Sequence, residues 1–74
     1  MKPHPAFQWR VYLKGVGYQY YAFYQLPREP FSGEQFKLEK RDTISVQSVG
    51  VYTRAQFEHR VTDIINRPDC ELIS

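Results

Sequence analysis

From Phe7 to Leu13, apolar and polar positions alternate without a break. Phe7, Trp9, Val11 and Leu13 fall on one side, and Gln8, Arg10 and Tyr12 on the other. Successive side chains of a strand point to opposite faces, so this period of two predicts a strand with one face buried. Gly15-Val16-Gly17 follows. Glycine reaches the positive φ of tight turns without a steric penalty, which predicts a hairpin into a second strand from about Tyr18 to Leu26, ended by Pro27. Five of the seven residues from Tyr18 to Tyr24 are aromatic: Tyr18, Tyr20, Tyr21, Phe23 and Tyr24. A single core takes only one face of such a strand. The other aromatic set is either covered by something else or left as a surface to be touched.

Loop length decides which set is which. A two-residue loop sets the odd positions of the first strand against even positions of the second. Tyr20, Ala22, Tyr24 and Leu26 then join the core face, and Tyr21 and Phe23 turn outward beside Gln8, Arg10 and Tyr12. A three-residue loop reverses the two faces. The two-residue loop is the expectation, because it places Gln19 and Gln25 outward with the other polar side chains.

Pro27 to Gln35 reads as a loop, with two prolines and Gly33. A third strand is expected over Phe36–Arg41 and a fourth over Ile44–Tyr52, joined around Asp42 by a three-residue turn that sets Leu38 opposite Val46. The apolar phase then moves from Ile44 and Val46 to Val49 and Val51, which predicts a β-bulge near Ser48 or Gly50. Thr53 with Gln56 three residues on is a capping-box pattern, and Tyr52 and Phe57 occupy the positions of a hydrophobic staple. Phe57, Val61, Ile64 and Ile65 recur at helical spacing as one buried stripe, which Asn66 and Pro68 end. The tail from Cys70 to Ile73 can add a last strand. The expected fold is α+β: an antiparallel sheet of four strands, or five if the tail pairs, with one C-terminal helix on one face, in the order β-β-β-β-α-(β). Residues 1–6 are expected to be a flexible tail and residues 7–74 a single domain.

Composition narrows the function. A chain of 74 residues buries only about 60% of the surface its unfolded form exposes, which excludes a two-lobed enzyme. Its one cysteine, Cys70, allows no internal disulfide and fits a reducing compartment. No apolar run approaches a membrane span, and the segment Met1-Lys2-Pro3-His4-Pro5 lacks the apolar stretch of a signal peptide, so a soluble cytoplasmic protein is expected. The net charge of +2 is unevenly spread. Lys2, Arg10, Lys14 and Arg28 against Glu29 leave +3 on residues 1–31, while six basic and seven acidic side chains leave −1 on residues 32–74. The aromatic part of the chain is also its basic part.

Catalytic and metal chemistry find little support. His59 and Cys70 share no spacing that makes them a nucleophile and base, and His59 and Asp63, four apart on the helix, read as a solvated pair. Two histidines and one cysteine do not form a zinc pattern, so no catalytic residue, metal or cofactor is assigned. Pro27-Arg28-Glu29-Pro30 is a literal P-x-x-P, more simply a stiffened loop. The stretch Lys14-Gly15-Val16-Gly17-Tyr18-Gln19-Tyr20-Tyr21 is similar to the RNP1 motif of RNA-recognition-motif domains, with Val16 and Gln19 departing. That family carries the motif on its third strand, which the thirteen preceding residues cannot supply, so the likeness stops at the stretch.

What stands out is Arg10, Tyr12, Lys14, Tyr21 and Phe23 as an aromatic and basic outer face. Tyr, Phe and Arg are enriched at protein interfaces, which points to a non-catalytic protein that binds a protein partner, self or foreign. Short freestanding domains of this kind are common among phage, prophage and plasmid accessory proteins. The alternative reading of the same face is sequence-independent binding of single-stranded nucleic acid, by stacking on the rings with cations on the phosphates.

Overall fold

The computed structural model describes residues 4–28, 30–31, 33–42 and 44–73. Residues 1–3 of the expected tail, together with Glu29, Ser32, Thr43 and Ser74, lie outside the described residues. Five strands and one helix follow in order: β1 (Phe7–Leu13), β2 (Gly17–Gln25), β3 (Gln35–Arg41), β4 (Val46–Thr53), α1 (Arg54–Ile65) and β5 (Cys70–Leu72). All pairings are antiparallel, in the spatial order β4-β3-β2-β1-β5. The first four strands form a meander of neighbours. β5 crosses back to pair with β1, so the expected α+β arrangement holds and the tail supplies the fifth strand.

The hairpin register is the reverse of the expected one. Phe7 pairs with Phe23, Trp9 with Tyr21, Val11 with Gln19 and Leu13 with Gly17. The loop is therefore the three residues Lys14, Gly15 and Val16. Val16 donates its backbone N–H to the Leu13 carbonyl at 3.0 Å, and Gly15 takes φ +85° at the turn's third position, the sign a type II turn requires there. Gly17, at φ +99°, closes the connection. Phe23 and Tyr21 consequently share the core face with Trp9, while Tyr18, Tyr20, Ala22 and Tyr24 face the other way.

The physical reason lies in the hydroxyls. Phe23 is the one ring in the run without a polar atom, and it is the one fully buried, at 0% exposure. A tyrosine hydroxyl taken from water into the centre of this core would need a partner there, whereas at the outer face it keeps its solvent. Gln19 does turn to the core side, but toward the hairpin end of that face, where the Tyr21 hydroxyl donates to its Oε1 at 3.2 Å.

A second pairing also differs from expectation. Leu38 lies opposite Gly50, and it is Arg41 that meets Val46. Asp42 explains the longer connection, because its Oδ1 accepts the backbone N–H of Ile44 and of Ser45, each at 2.8 Å, and Asp42 N–H donates to the Ser45 carbonyl. These contacts hold the carboxyl of Asp42 below the usual range, Ile44 N–H first and Ser45 N–H next. The pairing then slips between Leu38 and Glu39, opposite Gly50 and Ser48, which is the predicted bulge, with Val49 as the extra residue.

The core is small and mostly aromatic. Trp9, Phe23, Phe36, Leu38 and Ile64 are buried, with Phe7, Val11, Tyr21, Tyr52, Phe57 and Cys70 packed around them. Phe57 of α1 is the keystone: its ring stacks on Phe36 at 4.0 Å and meets Phe23 edge-on at 5.0 Å. The capping box forms as predicted, with Thr53 Oγ1 accepting from Gln56 N–H at 3.3 Å and Gln56 Oε1 accepting from Thr53 N–H at 3.0 Å. Of the expected stripe, Ile64 is buried and Phe57 and Val61 are half-buried, but Ile65 is exposed. At 100° per residue, a neighbour of Ile64 leaves the narrow seam that one helix makes against a sheet.

Helix and sheet do not match in width. Five strands at about 4.8 Å span roughly 19 Å between the outer axes, while a single helix is about 10 Å across. α1 crosses from the β4 side to the β5 side of one face only. No described element covers the opposite face.

Candidate functional site

The uncovered face is built by cross-strand pairing, so its composition follows from the register. Across its middle run Gln8 of β1, Ala22 of β2, Glu39 of β3 and Ser48 of β4. One step along lie Glu71, Arg10, Tyr20, Arg41 and Val46, in a line that crosses all five strands. Tyr24, Lys37 and Val51 flank the middle line on the other side, and Tyr12 pairs with Tyr18 near the hairpin tip. Tyrosines therefore run down β2 as a ridge, with Ala22 as a gap, and charged side chains stand on either side.

Within this surface the polar groups are largely tied to one another. Arg10 Nε donates to Glu71 Oε2 at 2.8 Å, and its guanidinium lies 4.4 Å from the centroid of the Tyr18 ring. The Glu71 hydrogen bond, then one to Tyr20, pushes the already high Arg10 pKa further up, and Arg10 in turn holds the Glu71 carboxyl below the usual range. Lys37 Nζ lies 3.3 Å from Glu39 Oε1. Tyr12 and Tyr18 meet edge-on at 5.2 Å, and Tyr18 and Tyr20 are tilted at 6.4 Å. Even so, Tyr12, Tyr18 and Tyr20 remain 60%, 45% and 39% exposed, and Val46 and Val51 are about half-exposed on the same side. Ala22 leaves a pit of ≈ 110 Å³ walled by Gln8, Tyr20, Tyr24, Glu39, Arg41 and Ile73. A wider trough beside it, toward Leu26 and Pro27, shares Tyr24, Glu39 and Arg41.

Of the residues expected to form the outer face, Arg10 and Tyr12 lie on it, and Lys14 sits exposed in the hairpin loop next to it. Tyr21 and Phe23 do not. Tyr21 stacks on Trp9 at 5.2 Å with the rings nearly parallel, and Phe23 is at the centre of the core, so neither presents a ring to the outer face. Their places are taken by Tyr18, Tyr20 and Tyr24, with Lys37 and Arg41 from β3. The split between Phe and Tyr along the run is the signal that could have found them. Lys37 and Arg41 carried no signal without the pairing of β3 to β2.

Elsewhere the structure offers less. The P-x-x-P segment lies partly outside the described residues. Its Arg28 pairs with Glu34, which also binds Arg54 at 2.6 Å, tying the loop to the start of α1. Asp63 lies 3.9 Å from Arg67, and His59, its expected partner, makes no ion pair among the described residues. Burial, and Asp69 beside it, push the Cys70 thiol above its ordinary value. Among the described residues no group of three or more His, Cys, Asp and Glu side chains is gathered as metal ligands would be, and no helix is long and apolar enough to cross a membrane. No protein-family model, no curated protein and no solved structure matches this chain.

Proposed function

We propose that the chain is a non-catalytic binding protein, and that another protein docks on the uncovered tyrosine face of the sheet. The observation that carries this reading is the ridge itself: Tyr12, Tyr18 and Tyr20 stay well exposed on a five-stranded sheet beside Arg10. Tyrosine offers large, stiff contact area with little entropy to lose, and Tyr and Arg are the side chains on which protein interfaces concentrate their energy. The half-exposed valines of β4 extend the apolar part, and the paired charges Arg10–Glu71 and Lys37–Glu39 stand beside it.

Charge balance favours a protein over a nucleic acid on this face. Arg10, Lys37 and Arg41 stand against Glu39 and Glu71, three cations less two carboxylates, a net of one positive charge. Two of the three cations already hold a carboxylate partner. Binding along a phosphate chain draws on several free cations, each of which releases a counterion. This surface supplies Arg41, and Lys14 at the hairpin tip.

The test is a capture experiment on cells of the source organism, comparing wild type with a Tyr18→Ser/Tyr20→Ser double variant. A protein captured by the wild type in stoichiometric amount and lost by the variant, with the variant's thermal midpoint within a few degrees of wild type, supports the reading. Equal capture by both would remove the tyrosine face from it.

A further inference from the structure

Arg41 is the cation of the open face that makes no ion pair among the described residues. It stands at the wall shared by the Ala22 pit and the trough beside it. Arg10 is committed to Glu71 and Lys37 to Glu39. A partner that meets this wall gains a full charge partner at one point only, next to a pit with room for about one side chain. We infer that the face selects an acidic, extended protein segment, one that places an aliphatic side chain over Ala22, between Tyr20 and Tyr24, and a carboxylate on Arg41.

This inference rests on the protein-docking reading and gives it a chemical class. The arrangement fits an extended segment because side chains on one side of a strand recur about every 6.8 Å, so an aliphatic and an acidic residue two positions apart reach two neighbouring features of a flat face. Carboxylate and guanidinium match as a two-pronged pair, which ranks a carboxylate above a neutral polar group at this wall. A basic segment would instead set its cation against an arginine that holds no carboxylate among the described residues. Glu39 does not relieve that clash, since Lys37 already holds its carboxylate at 3.3 Å.

The probes are two short synthetic peptides, one alternating glutamate and leucine, the other lysine and leucine, titrated into the ¹⁵N-labelled protein and followed by amide shifts. The expected result is saturable shifts at Tyr20, Ala22, Tyr24 and Arg41 with the acidic peptide, weakened about tenfold in Arg41→Glu, the size of one good charge contact. An unchanged spectrum away from β3 shows that this variant is folded. No shift at millimolar acidic peptide, shifts confined to the helix side, or equal binding of the basic peptide would overturn the inference. A thymidine oligonucleotide in parallel separates phosphate from carboxylate. Tighter binding of it at the same amides, falling steeply with salt, overturns the acidic-segment inference in favour of a nucleic acid. Failure of the acidic peptide alongside loss of captured protein in Tyr18→Ser/Tyr20→Ser would strike the acidic preference alone and leave protein docking standing.

Discussion

Replacing Phe23 by alanine tests the reversed hairpin register, on which every statement about the open face depends. Phe23 is 0% exposed and touches three other rings: Trp9 at 5.6 Å, Tyr52 at 5.8 Å and Phe57 at 5.0 Å. A buried Phe→Ala change costs about 3–5 kcal/mol through lost transfer energy and the remaining cavity. Three ring partners left without their contact put this site at the upper end of that range. A domain of 74 residues has about 4–11 kcal/mol in total. The variant should therefore be close to unfolding at room temperature, or should lose more than about 15 °C in thermal midpoint. Urea unfolding followed by Trp9 fluorescence reads this directly, since Trp9 is the one tryptophan and lies against Phe23. Tyr20→Ala/Tyr24→Ala is the control on the other face and should lose less than about 1.5 kcal/mol, as surface changes do. If Phe23→Ala behaves like a surface change while the tyrosine pair collapses the domain, the register and the site built on it are wrong.

Three further changes probe the frame around the site. Thr53→Ala removes one half of the capping box and should lower stability by about 1 kcal/mol in the same urea assay, whereas Thr53→Ser should keep most of it. Gly50→Ala should be tolerated or slightly stabilising, because the nearest atom the added carbon would meet is the Tyr52 hydroxyl at 3.5 Å, an ordinary contact, and the backbone there is not in the positive-φ region; Gly17→Ala, at φ +99°, should lose about 1 kcal/mol. Glu34 has its carboxyl held below the usual range by Arg54 first and Arg28 after it. Its folded pKa is thus lower than its unfolded one, so its contribution is present above the ordinary carboxylate range and is lost as pH falls through the lower folded value. Thermal midpoints measured from pH 6 down to pH 3 should fall less steeply for Glu34→Gln than for wild type, and parallel curves would show that the bridge contributes nothing.

Several parts of this fold could be read from local chemistry alone. The alternation from Phe7 to Leu13, the Thr53–Gln56 cap and the apolar phase shift near Val49 each state their structure within a few residues. The hairpin register is different in kind, since it depends on one residue of loop length that the glycines at 15 and 17 leave open. The polar Gln19 and Gln25 point to one register, while the single Phe among the Tyr residues of the run points to the other, and burial of the ring without a hydroxyl prevails. Helical spacing puts Ile65 beside Ile64 in the stripe but says nothing of how wide a seam the sheet provides, and Ile65 falls outside it. Lys37 and Arg41 could not be assigned to the site at all, because their face follows from pairing with β2 and not from anything within β3.

β5 is three residues long and covers the middle of β1, with Trp9 opposite Leu72 and Val11 opposite Cys70, and the Ile73 N–H reaches the Gln8 carbonyl at 3.1 Å. Every other pairing in the sheet joins neighbours in the chain, so this one closes the widest span of sequence, bringing residues 70–72 back to residues 9–11. Until it forms, Phe7–Leu13 is an unpaired edge of seven residues carrying a single charge, rich in the residue types that template cross-β growth. β5 thus shields the middle of that edge, while β4, with no charged residue from Val46 to Thr53, remains the open edge on the other side of the sheet. Removing residues 70–73 would therefore give the sheet a second open edge and take Cys70 from the core it packs against.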